Sequence, residues 1–115
     1  AEEDQGFVTL YTGIDLNGWD GSTEHWVVGD WSLQHDGKGG DLTTTSTYGK
    51  FEVMVDAKCE DSDGKIYMII DGKKVVIPRN EDKWSRFVTQ GDGGTISLGS
   101  TSKANFCNMF IRPLH

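Results

Sequence analysis

The stretch from residue 51 to residue 59 narrows the fold more than any other. Phe51, Val53, Val55, Ala57 and Cys59 alternate with Glu52, Met54, Asp56 and Lys58. A period of two puts successive side chains on opposite faces of a strand, so the segment predicts a β-strand with one apolar and one polar face. Two apolar runs follow, 66–70 and 75–77, around Asp71-Gly72-Lys73-Lys74. An Asp-Gly pair between such runs signals a hairpin, because both residues accept the positive φ of a tight turn. Further strands are expected at 8–12, 26–28, 32–35, 41–44, 86–89, 95–98 and 105–112, with a turn at Gly29-Asp30 and loops at 36–40 and 91–94. No segment sustains helical periodicity, and 78–84 has room for one short helical turn at most. Fifteen Gly against two Pro suit many tight turns. The pattern predicts an all-β chain folded as an antiparallel β-sandwich, with a closed barrel as the alternative. At 115 residues one core suffices. A single domain over 7–115 is expected, after a frayed acidic tail over 1–6.

Charge and composition exclude several partners. Asp and Glu outnumber Lys and Arg by 18 to 11, for a net charge of −7. With no basic run, such a chain is repelled by phosphate backbones and anionic lipids, so neither nucleic acid nor a membrane surface is expected as its partner. No apolar run approaches the roughly 20 residues that span a bilayer. The glycine clusters lack the Gly-Lys-Ser/Thr of a phosphate loop, and no cofactor is expected. Cys59 and Cys107 fit no zinc spacing; they are either two thiols or one bridge, and only their separation decides. Asp61-Ser62-Asp63-Gly64 is a fragment of a calcium-loop pattern without the later ligands, so it reads as a tight acidic turn and no metal is expected. The opening Ala1-Glu2-Glu3-Asp4-Gln5 fits either a mature exported protein whose leader was removed or a chain trimmed at its N-terminus.

Several segments, in order, resemble one family. They are Gly6-Phe7-Val8-Thr9-Leu10-Tyr11-Thr12-Gly13-Ile14-Asp15-Leu16-Asn17-Gly18-Trp19, then His25-Trp26-Val27-Val28-Gly29-Asp30, Gly37-Lys38-Gly39-Gly40-Asp41-Leu42 and Tyr48-Gly49-Lys50-Phe51-Glu52-Val53. The closing Asn105-Phe106-Cys107-Asn108-Met109-Phe110-Ile111-Arg112-Pro113-Leu114 completes the set. Together they resemble the 3-keto-disaccharide hydrolase domain family of the concanavalin-like lectins and glucanases. The resemblance implies two curved antiparallel sheets packed as a jelly roll, export to the periplasm or beyond, and action on polysaccharides or glycosides. It covers about half of the chain. The middle is shorter than in the family, and its aspartate–histidine loop before the last strand has no counterpart near 98–102.

Candidate site residues follow from both readings. Glu52 and Asp56 share one strand face, with Cβ atoms roughly 13 Å apart at 3.3 Å per residue. That exceeds the carboxyl spacing of a retaining or an inverting glycosidase pair unless the side chains converge. They are candidates either for accepting hydrogen bonds from sugar hydroxyls, with catalysis as the stronger form of that role, or for an ordinary salt-linked strand face. The resemblance implies that this face is the ligand-facing one. Among the four Trp, Trp26 reads as core and Trp19 as packing over a sandwich end. Trp31, set at a turn, and Trp84, opening a strand after a polar loop, are the candidate stacking platforms for sugar rings. His35 is a further ligand-binding candidate, while His25 reads as a surface histidine. The set points to an exported module that binds a glycan or small saccharide. A glycoside hydrolase acting on 3-keto-disaccharides or related glycosides is the alternative, and a structural or self-associating domain the second. Phe110 is expected on the outer face between inward Met109 and Ile111, which would suit a homodimer.

Overall fold

The alternating segment is a strand along its whole length. In the computed structural model, which describes residues 6–11, 15–21, 23–29, 31–38 and 40–114, the strands in chain order are β1 (Val8–Thr9), β2 (Trp19–Gly21), β3 (Trp26–Gly29), β4 (Ser32–His35), β5 (Leu42–Thr44), β6 (Phe51–Cys59), β7 (Ile66–Ile70), β8 (Lys73–Ile77), β9 (Ser85–Gly91), β10 (Ile96–Ser100) and β11 (Ala104–Pro113). A 3-10 turn over Thr23–His25 leads into β3. One sheet runs β3-β4-β11-β6-β9 and the other β2-β5-β10-β7-β8. β6 occupies one edge of β11, so β4 and β1 share the opposite edge end to end, at residues 104–107 and 110–111 respectively. Every pairing is antiparallel.

The two sheets close on each other through their alternating apolar faces. Phe51, Val53, Val55, Ala57 and Cys59 of β6 are buried together with Ile66, Met68 and Ile70 of β7 and Ile96 and Leu98 of β10. The architecture is an antiparallel β-sandwich, as the periodicity predicts. β6 departs from expectation on its other face, where Met54 and Asp56 are also nearly covered, each 9% exposed. β6 lies between β11 and β9, so side chains from both neighbours close over it.

Boundaries differ where turn chemistry or length hides them. The β7–β8 hairpin turns on Asp71 and Gly72 alone, at φ of 50° and 80°. Lys73 and Lys74 belong to β8, with Lys73 opposite Ile70. A two-residue turn of this hand matches the strand twist and leaves no residue over. β2 was not expected, because three residues carry too little alternation to read. Trp19 within it joins the core. Residues 78–84 make a tight turn closed by the Lys83 N–H on the Asn80 carbonyl, 2.9 Å, with no helix. The expected tail over 1–6, apart from Gly6, lies outside the described residues, as does Thr12; β1 stops at Thr9, short of the expected 8–12, because the chain bends at Leu10 and Tyr11.

β11 carries the irregularity that shapes the surface. Cys107 pairs with Asp56 and Phe110 with Met54, so three steps on β11 span two on β6. This is a β-bulge, with Asn108 at φ 50°. It shifts the phase of the strand, so that Phe106, Met109 and Ile111 are all buried. The cysteines are both free. Cys59 is in the core, whereas Cys107 lies one position along β11 from the buried Phe106, on the outer face.

Candidate functional site

The outer face of the β3-β4-β11-β6-β9 sheet collects most of the candidates. The register sets its side chains in rows across the strands. Gln34, Asn105 and Lys58 form one row, which Trp84 extends just before β9. Ser32, Cys107, Asp56 and Arg86 form the next. Beyond the bulge come Thr9, Phe110, Met54 and Val88, then Arg112, Glu52 and Gln90. Within a row, neighbours stand about 4.8 Å apart, and alternate positions along a strand about 6.6 Å apart.

The two carboxylates of this face are held by arginines from the flanking strands. Asp56 Oδ1 accepts from Arg86 Nε at 2.9 Å and Oδ2 from Arg86 Nη2 at 3.0 Å. Asn108 Nδ2 donates to the same Oδ2 at 2.8 Å. Burial pushes the Asp56 carboxyl up, but the hydrogen bonds from Arg86 and Asn108 and the Arg86 charge outweigh it, and the group stays below its ordinary value. Glu52 Oε1 pairs with Arg112 Nη2 at 2.8 Å. Arg112 also stacks on Phe7, 4.8 Å from the ring centroid. Lys58, a sequence-stretch neighbour of Asp56, instead sits over Trp84 at 5.1 Å. Asp56, fixed in this way, accepts hydrogen bonds; it is poorly suited to deliver a proton, which needs a raised pKa.

Trp31 and Trp84 are the two exposed tryptophans, 62% and 40% accessible. Trp31 sits in the two-residue connection between β3 and β4, at φ 61°. It rims a cleft of about 170 Å³ with Thr9, Tyr11, Asn108, Met109 and Phe110. The cleft lies at the bulge, between the stretches of β11 that pair with β4 and with β1. The Tyr11 hydroxyl braces the turn from below, 3.0 Å from the Gly29 carbonyl and 3.1 Å from that of Ser32. The Leu10 N–H donates to the Met109 carbonyl at 2.8 Å and fixes the other wall. Two non-glycine residues in the left-handed region thus border one cleft, an arrangement that costs backbone energy and concentrates at working sites. A second, polar cleft of about 180 Å³ lies between Gln34, Glu60, Lys103 and Asn105.

His35 does not belong with them. Its side chain lies in the interior, 2% exposed. It stacks on Trp26 with ring centroids 4.3 Å apart. Nε2 lies 2.9 Å from the Lys38 carbonyl oxygen and therefore carries a proton. Nδ1 meets Ser100 Oγ at 2.7 Å, which links the two sheets. Burial holds the imidazole below its ordinary pKa, against the Lys38 carbonyl and the charges of Asp36 and Asp41. Its assignment to ligand binding is corrected on this ground: the ring faces Trp26 and Ser100, away from the outer face. His25 is a surface group, with Nδ1 2.7 Å from Asp36 Oδ2. Asp61 turns back on its own loop, accepting from the Asp63 N–H at 3.0 Å. Among the described residues no group of three His, Cys, Asp or Glu is placed to hold a metal ion.

Gln34, Asn105, Asn108, Arg86 and Arg112 were not singled out from the sequence. Gln34, Asn105 and Arg112 each adjoin a buried strand residue and Arg86 alternates with half-buried Ser85 and Phe87, so their outward direction was legible, whereas that of Asn108 depends on the bulge. Their partners were not, because partners depend on the pairing register.

No protein-family model matches the chain, and no curated protein does. Solved structures match it in fold. One from Parabacteroides distasonis, provisionally named a glycosyl hydrolase, superposes with a TM-score of 0.79 at 14% identity, over 99% of this chain and 96% of its own. A second from the same organism, with the same provisional name, gives 0.67 at 12% identity, over 94% and 99%. A Clostridium thermocellum endo-1,4-β-D-xylanase with CBM22-1 and GH10 modules, complexed with xylohexaose, gives 0.56 at 11% identity, over 90% of this chain and 27% of that one. At such identities the likeness establishes the sandwich fold.

Proposed function

We propose that this protein is a carbohydrate-binding β-sandwich domain of an exported bacterial protein, with its ligand on the outer face of the β3-β4-β11-β6-β9 sheet. One observation carries the reading: Trp31, Trp84 and Phe110 share that face with carboxylates that arginines hold in place. Aromatic faces take the C–H faces of sugar rings, and fixed polar groups read the hydroxyls. Such side chains lose little freedom on binding, which favours affinity. Structures that share the fold include a xylanase complexed with xylohexaose, which agrees with this use of the scaffold.

Glycoside cleavage, including the 3-keto-disaccharide activity that the sequence resemblance implies, is the second reading. It needs a carboxyl that can give up a proton near neutrality, and Asp56, held ionised by Arg86 and Asn108, does not supply one. The test is a titration of Trp fluorescence against neutral glycans and 3-keto-glycosides, with product release followed in the same wells. Saturable binding without products is the expected result. Products that vanish in Glu52→Gln or Asp56→Asn would overturn the binding reading in favour of hydrolysis. Silence over a broad panel would sink both and leave self-association, measured by sedimentation, as the remaining role.

A further inference from the structure

Resting on the carbohydrate-binding reading, we propose that the cleft at the β11 bulge is a single-residue subsite: it seats one uncharged sugar ring, a chain end or a branch, against Trp31. Three features lead there. The first is shape. The cleft is a gap in a sheet edge, with the β3–β4 turn at one end and β1 at the other, and not a groove crossing the strands. Its 170 Å³ falls well below the roughly 300–1,000 Å³ of pockets that enclose drug-sized ligands, which leaves room for one ring. A polymer threaded along it would run into Trp31 or β1, so the ring must enter from the outer face with its substituents pointing away.

The second feature is the chemistry of the walls. Trp31 and Phe110 offer aromatic surface, Met109 an apolar floor, and Thr9 and Asn108 a hydroxyl and an amide. That set suits a ring with an apolar C–H face and hydroxyls at its edge. The third is charge. None of the described lining residues is charged, and the carboxylate that Asn108 contacts, Asp56, is paired with Arg86. The chain as a whole carries −7, which disfavours uronic acids and sulfated sugars. The left-handed backbone at Trp31 holds this rim residue in a geometry that a bulky side chain rarely adopts, as expected where position matters more than stability, while Asn108 opposite is of a type that accepts it.

The test compares methyl glycosides of neutral hexoses and pentoses with oligosaccharides built from the same units, by Trp fluorescence and saturation-transfer NMR. Wild type and the Val76→Ser control, which changes the other sheet, should bind the methyl glycosides. Trp31→Ala should weaken that binding by about 30-fold or more, the usual loss for a central Trp contact. Trp31→Gly, which suits the positive φ, should lose it equally and excludes misfolding as the cause. If oligosaccharides bind and both Trp31 variants bind methyl glycosides as wild type does, the subsite is wrong while the domain remains a carbohydrate binder. If wild type binds no carbohydrate, both readings fall together.

Discussion

At position 31, glycine should support the fold better than alanine does. Trp31 stands at φ 61°, where a residue with a Cβ is strained by about 1–2 kcal/mol. It is 62% exposed, so about two-fifths of the side chain is packed. On a ring that buries up to ~250 Å², that is ~95 Å², or about 2.4 kcal/mol at 25 cal/mol per Å². Alanine and glycine both lose nearly all of this, so the packing loss cancels between them. What remains is the relief of strain in glycine, about 1–2 kcal/mol, set against the ~0.5–1 kcal/mol by which glycine is otherwise the worse residue. Trp31→Gly should therefore be more stable than Trp31→Ala by about 0.5–1 kcal/mol, the reverse of their order in a strand interior. Urea titration of the two variants reads this as a midpoint about 0.3–0.7 M higher for glycine, for a slope near 1.5 kcal/mol/M. Equal midpoints, or a higher one for alanine, would show that the turn is not strained and would remove that support for a working site at the bulge.

The pinned carboxylate gives a pH-dependent counterpart. Asp56→Asn should lower stability by about 1–2 kcal/mol at neutral pH, at the low end for charge-assisted bonds because Arg86 is half-exposed and partly hydrated. Because the folded pKa of Asp56 lies below its unfolded value, the wild-type advantage holds above the unfolded value near 3.9 and vanishes as pH falls through the folded one; unequal stabilities persisting in strong acid would count against it. His35 has the opposite charge type and also a lowered pKa. Its unfolded form takes up a proton first, so stability should decline as pH falls below about 6.5. In His35→Gln, denaturation at pH 7.5 and 5.5 should lack that component; an unchanged slope would exclude His35 as its source. On the other sheet, a Cβ at Gly99 would lie 2.5 Å from Cζ and Oη of Tyr67, whose hydroxyl donates to Asp41 Oδ1 at 2.6 Å. Burial and that bond push the phenol up to about 12, so Gly99→Ala should bring its ultraviolet titration down toward 10; no movement would mean the ring accommodates the methyl. Cys107, half-buried and raised to about 11 mainly by burial, should resist alkylation at pH 7.5, and rapid modification would refute the raised value.

The sandwich itself was legible because alternation along 51–59 leaves little choice of structure. The same parity rule placed Phe110 outward between Met109 and Ile111, as found. It also applied to His35, which lies two positions from Leu33 and hence on the buried face, but its titratable chemistry drew attention to the outer one. The bulge was not legible: Asn108 is an ordinary residue in a strand-forming run, and its left-handed backbone appears only when β11 meets β6. The ion pairs had the same obstacle. Arg86 and Arg112 read as outward cations, but which carboxylate each meets depends on register, a property of two distant segments. The exposure of Trp31 was legible for a different reason, since a large ring at a turn has little packing to cover it.

The order of strands also bears on how the molecule comes into being. The inner strands that organise the two sheets, β10 and β11, are the last two in the chain. As the polypeptide leaves the ribosome, the β3–β4 and β7–β8 hairpins can close by themselves. β1, β4 and β6 must wait with open edges for residues 104–113, and β5 and β7 for 96–100. Non-local pairing of this kind slows folding and leaves edges open to association in the meantime. A nascent chain stalled short of residue 96 would therefore be a client for holding factors, and a nonsense change in the last two strands would abolish the domain rather than trim it.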